Sequence, residues 1–346
     1  MKPMDVLSLE NALALQSDKL LGVTLTAATG LVTVLGALIV YSSRLTFLWD
    51  ARSLVVALGL ATGGVLSFTL LELLPTAKGA FVRVVQDLLD DARPSADAEQ
   101  DPRVRGYAAL ILAAAFAVGA TTAWVADTLC MLCSVPERAL PPRPPRDETM
   151  LTTRSGSSVS SRRQLSPSVY RESETMGSAH VHVDGVTKEL LYKTGTAKVI
   201  AFTVQNVPEG MALCIATVQH RTLGILFACA IALLNVTQGM ALAGLLAQSS
   251  GYRWRAVLWC VLLALALPLG GLLAWVVLLY TELTSLALGV VYGIASGMLI
   301  GMSLTQILTV CYNFSASDSA VVTRSVFGGV FFIAALRVLL TFVYAD

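Results

Sequence analysis

Eight apolar runs, each long enough to cross the roughly 30 Å of a bilayer's hydrocarbon, decide what this chain can become. They lie near Leu20–Tyr41, Ser53–Leu74, Gly106–Cys130, Thr196–Gln219, Thr222–Gln248, Ala256–Tyr280, Leu286–Cys311 and Ser325–Tyr344. Hydrocarbon offers the backbone no hydrogen-bond partners, so each run must satisfy its own amides and carbonyls as a helix. The expected fold class is an all-α integral membrane protein with eight transmembrane helices.

Composition agrees. Of 346 residues 55% are hydrophobic and 14% charged, with a mean hydropathy of +0.70, as expected for one polytopic membrane domain. A formal net charge of +1 gives no reason to expect a nucleic acid or an acidic partner. Cys130, Cys133, Cys214, Cys229, Cys260 and Cys311 fall mostly inside apolar runs, unlike a secreted disulfide framework. Asp5, Glu10, Asp18 and Lys19 interrupt the first 19 residues, so no cleavable leader is expected there.

Two stretches break the rhythm. Residues 76–105 open as an amphipathic helix, with Phe81, Val84, Val85, Leu88 and Leu89 against Arg83, Gln86, Asp87, Asp90 and Asp91. They close in a polar link at Pro94-Ser95 and Pro102. The longer break, 135–194, is rich in Pro, Ser and Arg and cannot bury enough apolar surface to fold alone. The expected organisation is therefore 1–134 with three spans, a disordered loop over 135–194, and 195–346 with five spans of the same membrane domain. Most of the 24 Lys and Arg lie on the side of the long loop. The positive-inside rule puts that side in the cytoplasm, an assignment that reverses if the loop is left out.

The fourth run carries Gln205-Asn206-Val207-Pro208-Glu209-Gly210 at its centre. An ionisable residue at that depth is costly and marks a pathway, a partner or an ion. Gln205, Asn206 and Glu209 share one helical face. Pro208 has no N–H to donate, which frees the carbonyl of Val204 as a ligand. The bland reading is a kinked helix whose polar residues bind a neighbour. Against it, the fifth run reads Leu234-Asn235-Val236-Thr237-Gln238-Gly239-Met240-Ala241-Leu242, repeating Asn-Val and Gly-Met-Ala-Leu. The short link at His220 and Arg221 makes the two runs antiparallel, as around a binding site on a pseudo-twofold axis.

This pattern resembles the Zrt/Irt-like (ZIP) metal-ion transporters, which have eight spans, a long loop after the third and a metal site between the fourth and fifth. Residues 205–210 match the family's His-Asn-x-Pro-Glu-Gly in all but the first ligand, and 234–239 align with its fifth-span motif. Glu72-Leu73-Leu74-Pro75-Thr76, Leu267-Pro268-Leu269-Gly270 and Thr305-Gln306-Ile307 are similar to its second-, sixth- and seventh-span motifs. The resemblance implies a 3+2+3 arrangement and a metal site of Gln205, Asn206, Glu209, Asn235, Gln238 and Glu72. It also puts Leu234 and Leu267 where the family has ligands. Amide carbonyls donate lone pairs but no charge, so Glu209, aided by Glu72, supplies the negative charge.

The implied function is divalent metal-ion transport, with zinc, iron or manganese as cargo and no resident cofactor. The alternative is a non-transporting relative acting as regulator or scaffold through its loop. No span holds a histidine, and no enzyme is expected. The expected partners are a divalent metal ion and the lipid bilayer, with a homodimer left open and no nucleic acid. The membrane is the plasma membrane or an organelle's.

Lesser features have a bland reading beside a functional one. Cys130-Met131-Leu132-Cys133, one turn after Asp127, is a weak metal motif without a second pair. His180-Val181-His182 with Asp184 offers only two imidazoles. Cys214 points away from the polar face and is expected to pack, while Met211 and Met240 are soft donors nearby. Arg337 is expected to snorkel or pair, and Gly63-Gly64, Gly270-Gly271 and Gly328-Gly329 to bring helices close.

Overall fold

Helix is the form each apolar run takes, and the computed structural model describes residues 6–39, 42, 51–90, 101–134, 185–315 and 319–343. Eight helices among them are long and apolar enough to span a bilayer. They are α1 (Val6–Ile39), α2, α3 (Pro102–Ser134), α4 (Gly185–Gln219), α5 (Arg221–Ser250), α6 (Arg253–Tyr280), α7 and α8 (Ser319–Val343). Helix α2 runs from Ala51–Phe68 through a π-helical turn, Thr69–Leu73, into Leu74–Asp90. Helix α7 runs likewise from Ser285–Met302 through the π-helical turn Ser303–Ile307 into Leu308–Phe314.

Two sequence expectations change. The second span does not stop at Leu74; the amphipathic segment is its continuation. Phe81 and Val85 are buried there with Val104 and Ala108 of α3, whereas Leu88 and Leu89 are exposed. Helix α4 begins at Gly185, so 185–194 is helical and not part of a disordered loop. Its first turns are polar, and an ion pair one turn apart, Lys193 to Glu189 at 2.7 Å, supports them; hydropathy alone misses such a start. The seventh span is widened by its π turn, where the N–H of Leu308 donates to the carbonyl of Ser303. The rest of the long break, with His180, His182 and Asp184, lies outside the described residues.

Helices α4 and α5 are joined by one extended residue, His220 (φ −148°), which forces them antiparallel. A Cβ on Gly224 would stand 2.3 Å from Thr217 Oγ1, so only glycine lets the hairpin close. Helix α5 ends at Gly251, whose φ of 71° favours glycine.

Packing follows matched glycine contacts. A Cβ on Gly210 of α4 would lie 2.1 Å from the carbonyl of Leu267 on α6, and one on Gly270 of α6 would lie 2.0 Å from that of Val207. Helices α5 and α1 pack the same way: a Cβ on Gly239 would lie 2.1 Å from the carbonyl of Thr33, and one on Gly36 2.1 Å from that of Val236. Outside them, a Cβ on Gly63 of α2 would lie 1.9 Å from the carbonyl of Val326 on α8, and one on Gly297 of α7 would lie 2.0 Å from that of Phe116 on α3. One sequence offset relates Thr33 to Leu267, Gly36 to Gly270 and Gly63 to Gly297. The chain is therefore an inverted repeat in which α1–α3 correspond to α6–α8, and α4 to α5. The two π turns fall at equivalent places, which puts Glu72 opposite Gln306. Helices α1, α4, α5 and α6 form the central quartet, with the pairs α2/α8 and α3/α7 beside it.

Candidate functional site

The polar faces of α4 and α5 are buried in the quartet. Gln205, Asn206 and Glu209 are each 1% exposed, Asn235 0% and Gln238 3%. The four amides do not bond one another. Gln205 Nε2 donates to the carbonyl of Ala123 on α3 at 3.2 Å, and Asn206 Nδ2 to that of Leu263 on α6 at 3.5 Å. Asn235 Nδ2 donates to the carbonyl of Thr29 on α1 at 3.1 Å, and Gln238 Nε2 to Met302 Sδ on α7 at 3.6 Å. Every partner is an acceptor, which fixes the –NH2 of each amide outward and its oxygen elsewhere. Those oxygens, Gln205 Oε1, Asn206 Oδ1, Asn235 Oδ1 and Gln238 Oε1, have no hydrogen-bond partner among the described residues, nor do both oxygens of Glu209.

Leaving a buried polar atom unpaired costs about 1–3 kcal/mol, and a structure rarely tolerates several together without water or an ion. On α4 and α5 each amide nitrogen has a partner, and the buried polar atoms left without one are acceptor oxygens. A ligand for such a surface must be a donor or a cation.

The carboxylates at depth divide sharply. Asp127 forms an ion pair with Lys198, joining α3 to α4. Glu72 forms one with Arg337, joining α2 to α8. Glu209 alone of the three has no cation beside it among the described residues. Arg337 is the partner of Glu72, and the expectation that Arg337 pairs is met.

Val204 lies half exposed on an outer groove with Thr121, Val125 and Cys130. Cys214 is fully buried against Gly22 of α1, a packing role. Among the described residues no three or more His, Cys, Asp or Glu stand together; the side chain of Cys133 lies outside them. Leu234 and Leu267 are both 0% exposed, which fills two ligand positions of the resemblance with hydrocarbon. Sequence reasoning missed Met302, Ser303 and Lys198. It noted Gln306 only as a degenerate position, yet both its amide atoms and Ser303 Oγ are buried without a partner among the described residues. Their one legible signal was a polar pair inside an otherwise apolar run.

A family profile described as "ZIP Zinc transporter" matches residues 19–337. The chain belongs to the ZIP family. It is also 25% identical over 296 residues to a protein of Campylobacter jejuni named zinc transporter ZupT, a match covering 85% of this chain and 89% of that one. A ZIP-family identity accounts for the eight spans and the motif on α4, and makes this an integral, multi-pass membrane protein. It sharpens the significance of the substitutions, because amides and leucines stand here where the resemblance expects imidazole and carboxylate ligands.

Proposed function

We propose that this ZIP-family chain carries a divalent cation across the membrane through an oxygen site on the buried faces of α4 and α5. The site comprises Gln205, Asn206, Glu209, Asn235 and Gln238. The observation that carries the reading is the set of six acceptor oxygens without partners beside four amide nitrogens that are all engaged. A divalent cation in low dielectric needs lone pairs and negative charge together; the amides supply the first and Glu209 the second. We leave Glu72 out because its charge is already met by Arg337.

Oxygen donors without imidazole or thiolate favour harder ions. Manganese and iron(II) are therefore expected to be better cargo than zinc. One formal charge makes a weak site, which suits a carrier that must release what it binds. A second reading, a non-transporting relative acting through its loop, draws on the hydrocarbon at Leu234 and Leu267. Offering manganese, iron(II) and zinc in turn to proteoliposomes holding the purified chain separates the two. Saturable influx, with manganese or iron(II) ahead of zinc, is expected. No influx of any of the three would favour the regulator.

A further inference from the structure

A groove of about 260 Å³ opens between the first turns of α4 and α6, lined by Tyr192, Trp254, Arg255, Leu258, Trp259 and Leu262. It lies on the side of the long break after α3, at the end of the quartet where α4 enters and α6 begins. We propose that this groove holds one anionic phospholipid, its headgroup phosphate at Arg255 and one acyl chain along Leu258 and Leu262.

The guanidinium of Arg255 is 4.8 Å from the ring centre of Tyr252 and 5.5 Å from that of Trp254. Aromatic contact occupies the face of a guanidinium and leaves its in-plane N–H donors open. Arg255 makes no ion pair among the described residues, and a phosphate matches its fork of donors. Beneath it Trp259 Nε1 donates to the hydroxyl of Tyr192 at 3.3 Å, which ties α4 to α6 and leaves the tyrosine proton free to donate. Leu258 and Leu262, one turn apart, are 53% and 48% exposed and continue the groove towards the hydrocarbon.

Charge on this face argues for an anionic rather than a zwitterionic lipid. Arg52, Lys188, Arg253, Arg255 and Arg324 are exposed at the same ends of their helices, and none makes an ion pair among the described residues. A basic recess between transmembrane helices at the face the positive-inside rule puts in the cytoplasm is chemically suited to an anionic headgroup. An interfacial aromatic belt alone needs neither a guanidinium laid on two rings nor a recess beside it.

Native mass spectrometry of the full chain, released from detergent after exposure to phosphatidylglycerol or phosphatidylcholine, tests the proposal. One retained phosphatidylglycerol is expected, in preference to phosphatidylcholine. Arg255→Gln should reduce that retention by about fivefold or more, as loss of one interfacial cation implies. Arg324→Gln, on the same face outside the groove, should leave it unchanged. Trp259→Phe, which keeps an aromatic ring but removes the N–H, should weaken it partially. Equal retention of both lipids, or equal losses for the two arginine variants, would overturn the proposal. So would displacement of the lipid by millimolar glycerol phosphate, which would make the groove a plain phosphate site.

Discussion

Asn206 and Asn235 make the same interhelical contact twice. Asn206 donates to the carbonyl of Leu263 on α6, and Asn235 donates to the carbonyl of Thr29 on α1, which is the equivalent residue of the other repeat. Each turns its –NH2 to a flanking helix, and its oxygen has no hydrogen-bond partner among the described residues. Asparagine is suited to this because one side chain carries both a donor to anchor and an acceptor to offer.

Removing the anchor should cost stability before it costs ligand. Asn235→Ala deletes a buried interhelical bond, worth about 0.6 and at most about 1.7 kcal/mol in membrane proteins. A lowered thermal midpoint in detergent is expected. Asn235→Asp should be as unstable or worse, since the carboxylate cannot donate to Thr29.

Glycine contacts make a sharper test of packing. Gly239→Ala places a methyl 2.1 Å from the Thr33 carbonyl, where nothing flexible can yield, so α5 must part from α1. Loss of monodisperse protein on size-exclusion chromatography is expected. Gly328→Ala, with nothing within 4 Å, should behave as wild type or gain slightly from helix propensity.

These two cases show how far the sequence carries. Gly239 sits in a repeated motif, and the repetition between α4 and α5 told where the quartet's centre would be. The hydrophobic runs gave all eight helices because a bilayer leaves no other choice. What stayed hidden was pairing across long separations: neither the Glu72–Arg337 pair nor the reach from Gln238 to Met302 has a local signature. The polar first turns of α4 were equally invisible, since hydropathy cannot tell a charged helix end from a loop. Glu209 was legible as the odd charge in an apolar run, but its isolation from Arg337 and Lys198 is a property of the packing.

The Glu72–Arg337 pair should prove structural. Arg337→Gln strands a carboxylate at depth, and breaking a buried pair from one side costs about 3–5 kcal/mol; partial exposure of Arg337, 49% in its side chain, reduces that here. The double variant Glu72→Gln, Arg337→Gln should recover much of the loss in a thermal melt and keep metal influx. Influx abolished in a well-folded double variant would return Glu72 to the site.

Restoring family ligands should change the preference for metal. Leu234→His with Gln238→Glu adds an imidazole and a second carboxylate, ligands that suit zinc. Zinc affinity, measured by competition with a chelator, should rise about tenfold or more, about 1.4 kcal/mol. Manganese should gain less, because imidazole is the softer addition.

The central claim is that Glu209 supplies the charge a dication needs inside the quartet, and the initial rate of manganese influx in Glu209→Gln proteoliposomes tests it most directly. Glutamine keeps the shape and the acceptor but leaves the ion facing neutral oxygens alone. A penalty of about 3–5 kcal/mol for an uncompensated buried charge predicts a fall of a hundredfold or more, with the thermal midpoint little changed. A folded Glu209→Gln protein that moves manganese as fast as wild type would contradict the assignment.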